Sequence, residues 1–195
     1  MSNLETYASQ ILQAEPVRVQ RTEELNKKFT DIANEIYRCP YRNKNRREFK
    51  TVFESVEKMV IEHALSKLTG LAMNWQTFDH TNRDSYAWDV IDLETKKTFE
   101  CKRWADKWFS FNSKDISTFM KNVDIVDYFV SGKVFRTPSF YTVAFHLIAD
   151  AKTFEKYVRP SQYTTKLYYD HYNAVKKGDA FYRDHVYFEA NGVAR

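Results

Sequence analysis

An aspartate and a Glu-x-Lys tripeptide lie on two neighbouring predicted strands near the middle of the chain. Asp89 is on the first strand, and Glu100 and Lys102 are on the second, after a short charged turn. Side chains alternate between the faces of a strand, so Glu100 and Lys102 share one face. The residues beside them, Phe99 and Cys101, point to the other face. Two carboxylates and an ammonium at one place predict a divalent-metal site that can hydrolyse phosphodiesters.

Each of these residues has a predicted role in metal-dependent hydrolysis. Mg²⁺ prefers hard oxygen ligands, which Asp89 and Glu100 would supply, and Mn²⁺ would substitute for it. The backbone carbonyl of Cys101 is a candidate third ligand. Lys102 would hold the attacking water or offset the charge on the phosphate. We expect this lysine to stay protonated beside two carboxylates, which favours charge stabilisation over a role as free base.

The Glu-x-Lys pattern alone is weak, because it occurs three times, at 48–50, 94–96 and 100–102. The first copy is on a predicted helix and the second is in the charged turn. Only the third lies in an apolar strand that follows a strand with an aspartate. An exposed sheet face with a cross-strand ion pair would have the same residues, so that alternative stays open.

Hydrophobic periodicity and turn residues divide the chain into predicted elements. Helices are predicted at 4–15, 22–37, 47–68, 115–123 and near 152–158. Strands are predicted at 71–78, 86–93, 97–104, 126–130, 140–148 and 185–189. This order predicts an α/β fold with a mixed central sheet and additional N-terminal helices. We expect one domain, divided into a helical N-terminal extension with a basic loop (1–46), a catalytic core (47–150) and a C-terminal extension (151–195).

The hairpin carries a recognisable motif. The dipeptide Trp88-Asp89, ten residues and then Glu100-Cys101-Lys102 resemble the PD-(D/E)xK nuclease superfamily, with Trp88 where that family often has proline. The resemblance covers roughly residues 48–148 and includes the order of the elements. It implies a restriction-endonuclease-like αβββαβ core and Mg²⁺-dependent cleavage of DNA.

Many members of that superfamily carry a further glutamate on the helix before the strands. The candidates here are Glu54, Glu57 and Glu62. The apolar stripe of the predicted helix includes Phe53, Val56 and Val60. On a helical wheel Glu57 lies closest to this stripe, Glu54 is next and Glu62 points away. We therefore predict Glu57 as the supporting residue, with a surface glutamate paired to Lys50 or Lys58 as the alternative.

Basic residues flank the predicted site on both sides. A cluster precedes the helix and two lysines follow the hairpin: Arg42, Lys44, Arg46, Arg47 and Lys50, and then Lys107 and Lys114. Such residues could hold the phosphates of DNA and would make binding dependent on salt. An ordinary solvated loop would have the same composition, and this alternative also stays open.

The composition is that of a folded protein rather than a disordered one. The chain has 195 residues, of which 43 % are hydrophobic and 16 % are aromatic. Its net charge of +4 permits a polyanionic partner without requiring one. The two cysteines have no zinc-binding spacing, so we expect free thiols. Without a signal peptide or a long apolar run, we expect a soluble cytoplasmic protein with no membrane partner.

These observations predict a metal-dependent DNA endonuclease, of a size and composition that suggest a phage or mobile-element protein in the host cytoplasm. A homodimer would present one site to each strand of a duplex, and we favour it as the oligomeric state. Two other functions stay open. The chain could be an inactive nucleic-acid-binding module of the same fold, or an interaction protein without any nucleic-acid partner.

Overall fold

The computed structural model describes residues 2–38, 52–74, 88–104, 110–111, 126–162 and 167–183. Its helices are α1 (Asn3–Leu12), α2 (Glu23–Arg38), α3 (Val52–Thr69) and α4 (His171–Lys177), with a 3-10 helix at Phe154–Tyr157. Its strands are β1 (Val17–Gln20), β2 (Ala72–Met73), β3 (Val90–Ile91), β4 (Thr98–Arg103), β5 (Ser110–Phe111), β6 (Tyr128–Arg136), β7 (Phe140–Asp150), β8 (Val158–Pro160), β9 (Leu167–Tyr169) and β10 (Ala180–Tyr182). The predicted mixed α/β architecture is confirmed. The predicted helix at 115–123 and strand at 185–189 lie outside the described residues.

Side-chain caps and a glycine fix the helix ends. The Ser2 hydroxyl accepts a hydrogen bond from the Glu5 amide, and the Glu5 carboxylate accepts one from the Ser2 amide, which starts α1. The Thr22 hydroxyl accepts from the Leu25 amide at 3.1 Å and caps α2, as predicted. Gly70, with φ of +76°, ends α3 in the left-handed conformation that glycine adopts without strain.

The central sheet has the strand order β1-β7-β6-β4-β3-β2, and β10 also pairs with β7. The β4–β6 pair is parallel, and the other pairs of this sheet are antiparallel. The sheet is therefore mixed, as predicted. The terminal segments are not only extensions, because β1 and β10 each add a strand to the sheet. A smaller sheet has the order β5-β9-β8.

Both faces of the central sheet are covered. On β6, Tyr128 and Val130 belong to the core formed with α1, α2 and α3. Phe129, between them, belongs to a second core with Phe154 and Tyr169 from the C-terminal elements. Because both faces are covered, β7 is buried along nearly its whole length and its sequence is mostly apolar rather than alternating. None of the helices described is long and apolar enough to cross a membrane.

The N-terminal helix anchors the turn between β3 and β4. The Tyr7 hydroxyl, on α1, donates a hydrogen bond to the Asp92 carboxylate and lies 2.8 Å from the Thr95 hydroxyl. The Tyr7 ring also packs edge-on against Phe99, with 5.0 Å between the ring centroids. Burial and the bond to Asp92 raise the pKa of Tyr7 to about 12. The same bond lowers the pKa of Asp92 to about 2.

Replacing Tyr7 with phenylalanine should lower the free energy of unfolding by about 1 kcal/mol, because it removes a hydrogen bond to a charged group. The depressed pKa of Asp92 means that this stability is present above about pH 4 and is lost as the pH falls towards 2. The raised pKa of Tyr7 means that it is also lost as the pH rises from about 10 through 12. Urea unfolding of wild type and Tyr7→Phe across this range measures the difference.

The exposed Tyr172, replaced in the same way, is the control and should change stability by less than about 0.5 kcal/mol. A Tyr7→Phe deficit that is absent at neutral pH, or that persists undiminished at pH 2, would contradict this role for the hydrogen bond.

Candidate active site

The hairpin of β3 and β4 brings Asp89 and Glu100 together. Val90 pairs with Phe99 in the antiparallel register; Asp89 directly precedes Val90, and Glu100 directly follows Phe99. The Asp89 amide donates to the Phe99 carbonyl at 2.9 Å, one residue out of that register, so the regular pairing ends at Val90 and Phe99. Lys58 Nζ lies within 3.5 Å of an oxygen of each residue, so the two acidic groups are close enough to repel each other. The proximity of two acidic residues therefore needs compensation from elsewhere.

Two hydrogen bonds fix the Asp89 carboxylate. Its Oδ2 accepts from the backbone amide of Cys101 at 2.7 Å, and its Oδ1 accepts from Lys58 Nζ at 2.9 Å. Asp89 is buried. The Cys101 thiol, which is free and fully buried, is no candidate nucleophile, because burial raises its pKa well above the usual value. What Cys101 contributes to Asp89 is the orienting amide.

A lysine from α3 lies among three carboxylates. Lys58 Nζ is 2.9 Å from Asp89 Oδ1, 3.5 Å from Glu100 Oε1 and 3.8 Å from Glu62 Oε1. Lys58 and Glu62 are one helical turn apart, so both project from the same side of α3. Glu62 is 6 % exposed, although glutamate is rarely this buried without a partner. The helical wheel predicts Glu62 on the far side of the helix, and Lys58 is not among the predicted site residues.

The predicted cation, Lys102, donates a hydrogen bond to the Glu100 carboxylate on the same strand. The two residues lie on the same face of β4, as their spacing of two residues predicts. The Lys102 carbonyl accepts a hydrogen bond from the Ser131 hydroxyl of β6 at 3.1 Å, which ties this part of β4 to the next strand. Around this point three carboxylates face two ammonium groups, so one negative charge remains when all are ionised.

The predicted supporting glutamate is not among these residues. Glu57 Oε2 accepts from Arg103 at 2.8 Å, in an ion pair at the end of β4. The expectation that Glu62 points away from the site is wrong. The wheel was oriented by one apolar stripe, but α3 packs against the sheet and also against α1 and α2. A helix that is covered on two sides has buried residues on more than one face, so a single apolar stripe does not mark all of them.

The three carboxyl groups have different proton affinities. Burial and the charge of Asp89 raise the pKa of Glu62 well above its usual value. Burial and the charge of Glu100 also raise the pKa of Asp89. Although burial opposes ionisation of Glu100 too, the charges of Lys102 and Lys58 outweigh it and lower that pKa. Lys58 is also desolvated, but Asp89 and Glu100 more than compensate and raise its pKa. Perturbed groups gathered in this way are typical of functional sites.

The donor set is suited to a hard divalent cation. Within the described ranges, no group of three His, Cys, Asp or Glu side chains is arranged to hold a metal ion by itself. A cation of the protein lies among the carboxylates instead, since Lys58 Nζ contacts all three. Three carboxylates around one positive charge are the oxygen ligands that Mg²⁺ prefers.

The other predicted site residues lie outside the part of the chain that the structure describes. They are Arg42, Lys44, Arg46, Arg47, Lys50, Lys107, Lys114 and the side chain of Glu54. Their roles stay predictions, as does the carbonyl of Cys101 as a metal ligand.

No protein-family model matches this sequence, and no curated protein is significantly similar to it. The observations that bear on function are therefore the geometry and the charges of the site.

Glu62→Gln should raise the free energy of unfolding at neutral pH by about 1 kcal/mol in buffer with a chelator. A carboxyl group whose pKa is raised by folding binds an extra proton in the folded state, so wild-type stability falls as the pH rises above 4.5. The glutamine variant lacks this loss, and its advantage should grow between pH 5 and pH 8. Thermal or urea unfolding at several pH values measures it.

Glu57→Gln is the matched control on the same helix. It breaks a pair whose arginine is half exposed, so it should lower stability slightly, by about 0.5 kcal/mol, at all these pH values. If the two variants behaved alike, the distinction between the buried Glu62 and the ion-paired Glu57 would be wrong.

Proposed function

We propose that this protein is a Mg²⁺-dependent endonuclease that hydrolyses the phosphodiester bonds of DNA. The observation that carries the proposal is the convergence of Asp89, Glu100 and Glu62 around a single positive charge, with Lys102 beside them. Burying three carboxylates together costs stability, and clusters with this cost are typical of sites that bind a ligand or carry out a reaction. Phosphodiester hydrolysis is a reaction that needs this combination of carboxylates and a cation.

The order and direction of the strands support the same proposal. Helix α3 is followed by β2, β3 and β4, which are antiparallel neighbours, and then by β6, which lies parallel to β4. The described strands support the αβββαβ core that the resemblance to PD-(D/E)xK nucleases implies, and the second helix of that core stays a prediction. A parallel pair requires a crossover connection, and the predicted helix at 115–123 falls within it.

In the proposed mechanism Asp89, Glu100 and Glu62 would hold Mg²⁺. When bound, the ion supplies polarisation of the phosphate and activation of the attacking water. The Cys101 amide keeps the Asp89 carboxylate in one orientation, so that little reorganisation is needed. Lys102 offsets negative charge on the phosphate as the reaction proceeds and positions the water.

The substrate and the biological setting are parts of the same proposal. A net charge of +4 favours contact with a polyanion, and the basic residues at 42–50 would follow the phosphate backbone. A homodimer would present one site to each strand of a duplex. The chain would act in the cytoplasm, as a phage or mobile-element protein would.

Cleavage of supercoiled and linear DNA in Mg²⁺ or Mn²⁺ tests the proposal. Glu100→Gln and Lys102→Met should each reduce the rate by about 100-fold or more, because each removes a charge that acts on the reacting groups. The chain offers a matched control in a second Glu-x-Lys tripeptide, which lies in the exposed turn of the same hairpin. There, Glu94→Gln and Lys96→Met change the same residue types. Those two variants should cleave at the wild-type rate.

Cleavage that survives Glu100→Gln would contradict the site assignment. Salt-sensitive DNA binding without cleavage by the wild type would favour an inactive binding module, and the absence of both would favour an interaction protein.

The same assay decides between the two helix glutamates. Glu62→Gln should lower the cleavage rate far more than Glu57→Gln, because only Glu62 lies with the other carboxylates. The reverse order would restore Glu57 as the supporting residue.

A further inference from the structure

Lys58 is not part of the Glu-x-Lys motif, yet its ammonium contacts three carboxylates, as a bound cation would. Its Nζ lies 2.9, 3.5 and 3.8 Å from oxygens of Asp89, Glu100 and Glu62. One ammonium thus bridges two strands and a helix. A divalent ion held by the same three carboxylates would have to lie close to this position.

Charge balance favours an exchange rather than shared occupancy. With Lys58 and Lys102 present and all three carboxylates ionised, the cluster keeps one net negative charge. A divalent cation in place of the Lys58 ammonium would bring the cluster to neutrality. A divalent cation added while Lys58 stayed in place would leave a positive charge in a partly buried position, where like charges repel strongly.

Lys58 has room to leave. The Lys58 side chain is 34 % exposed, whereas the side chains of the three acidic residues that it contacts are 8–12 % exposed. The ammonium is carried on a flexible four-carbon stem, so it can move several ångströms without any movement of α3. Arginine would be less suited to such an exchange, because its planar fork holds carboxylates in a fixed geometry.

We propose that Lys58 is an internal counter-ion that holds the three carboxylates in place before metal binds and that a divalent cation displaces it. This inference rests on the proposed metal site and adds a positioning residue that the motif does not contain. Lys58 lowers the apparent affinity for metal, because its pairs with the carboxylates must break first. In return, the carboxylates are kept at one place rather than repelling each other apart.

Calorimetric titration with Mn²⁺ tests the exchange. Lys58→Met should bind Mn²⁺ about tenfold or more tightly than wild type, since a close buried charge pair is worth a factor of that order. Lys67→Met is the matched control on the same helix, because Lys67 is exposed and donates to the Arg18 carbonyl rather than to a carboxylate. Its affinity for Mn²⁺ should equal that of wild type.

Amine labelling of the wild-type protein gives a second readout that needs no variant. Mass spectrometry after brief acetylation should show several-fold faster labelling of Lys58 when Mn²⁺ is added, with Lys67 unchanged. Labelling of Lys58 that stays constant or slows, or a Lys58→Met variant that binds Mn²⁺ no better than wild type, would overturn the exchange.

These outcomes are separable from those of the cleavage assay. DNA cleavage together with unchanged labelling of Lys58 would overturn the exchange and leave the nuclease proposal standing. Tighter Mn²⁺ binding by Lys58→Met without any DNA cleavage would support the exchange and count against the nuclease.

Discussion

Three ionised carboxylates can share a buried position only if a cation lies among them. Asp89, Glu100 and Glu62 meet this condition through the ammonium of Lys58, which contacts an oxygen of each. In a medium of low dielectric constant, repulsion between neighbouring carboxylates is far stronger than in water. The hairpin, helix α3 and the packing that surrounds them are therefore constrained to keep that cation and its ligands together.

The fold that meets this constraint could be predicted in part from the sequence. Helices α1, α2 and α3 have clear caps and apolar stripes, and the order of the strands around the hairpin follows from turn residues between apolar runs. Strand β1 could not be predicted, because four residues are too few for a period to be recognised. Strand β10 is shorter still, and its place beside β7 depends on a pairing that local sequence does not contain. Tertiary contacts decide such short strands.

The site was predictable where its residues lie on strands and not where they lie on the helix. A period of two residues sets Glu100 and Lys102 on one face without further information. Lys58 and Glu62 are on a helix that the sheet and two other helices cover from different sides. The apolar stripe predicted for that helix therefore marks only one of its buried sides. The signal was present in Ile61 and Leu65, which are fully buried and lie three and seven residues after Lys58.

The most direct test of a metal centre among these carboxylates is a crystal structure of the protein soaked in Mn²⁺, with the ion located by its anomalous scattering. The account predicts one peak within about 2.5 Å of carboxylate oxygens of Asp89 and Glu100, with Glu62 beside it and the Lys58 ammonium turned away. A Lys58 ammonium that still contacts all three carboxylates, with no peak among them at saturating Mn²⁺, would contradict it.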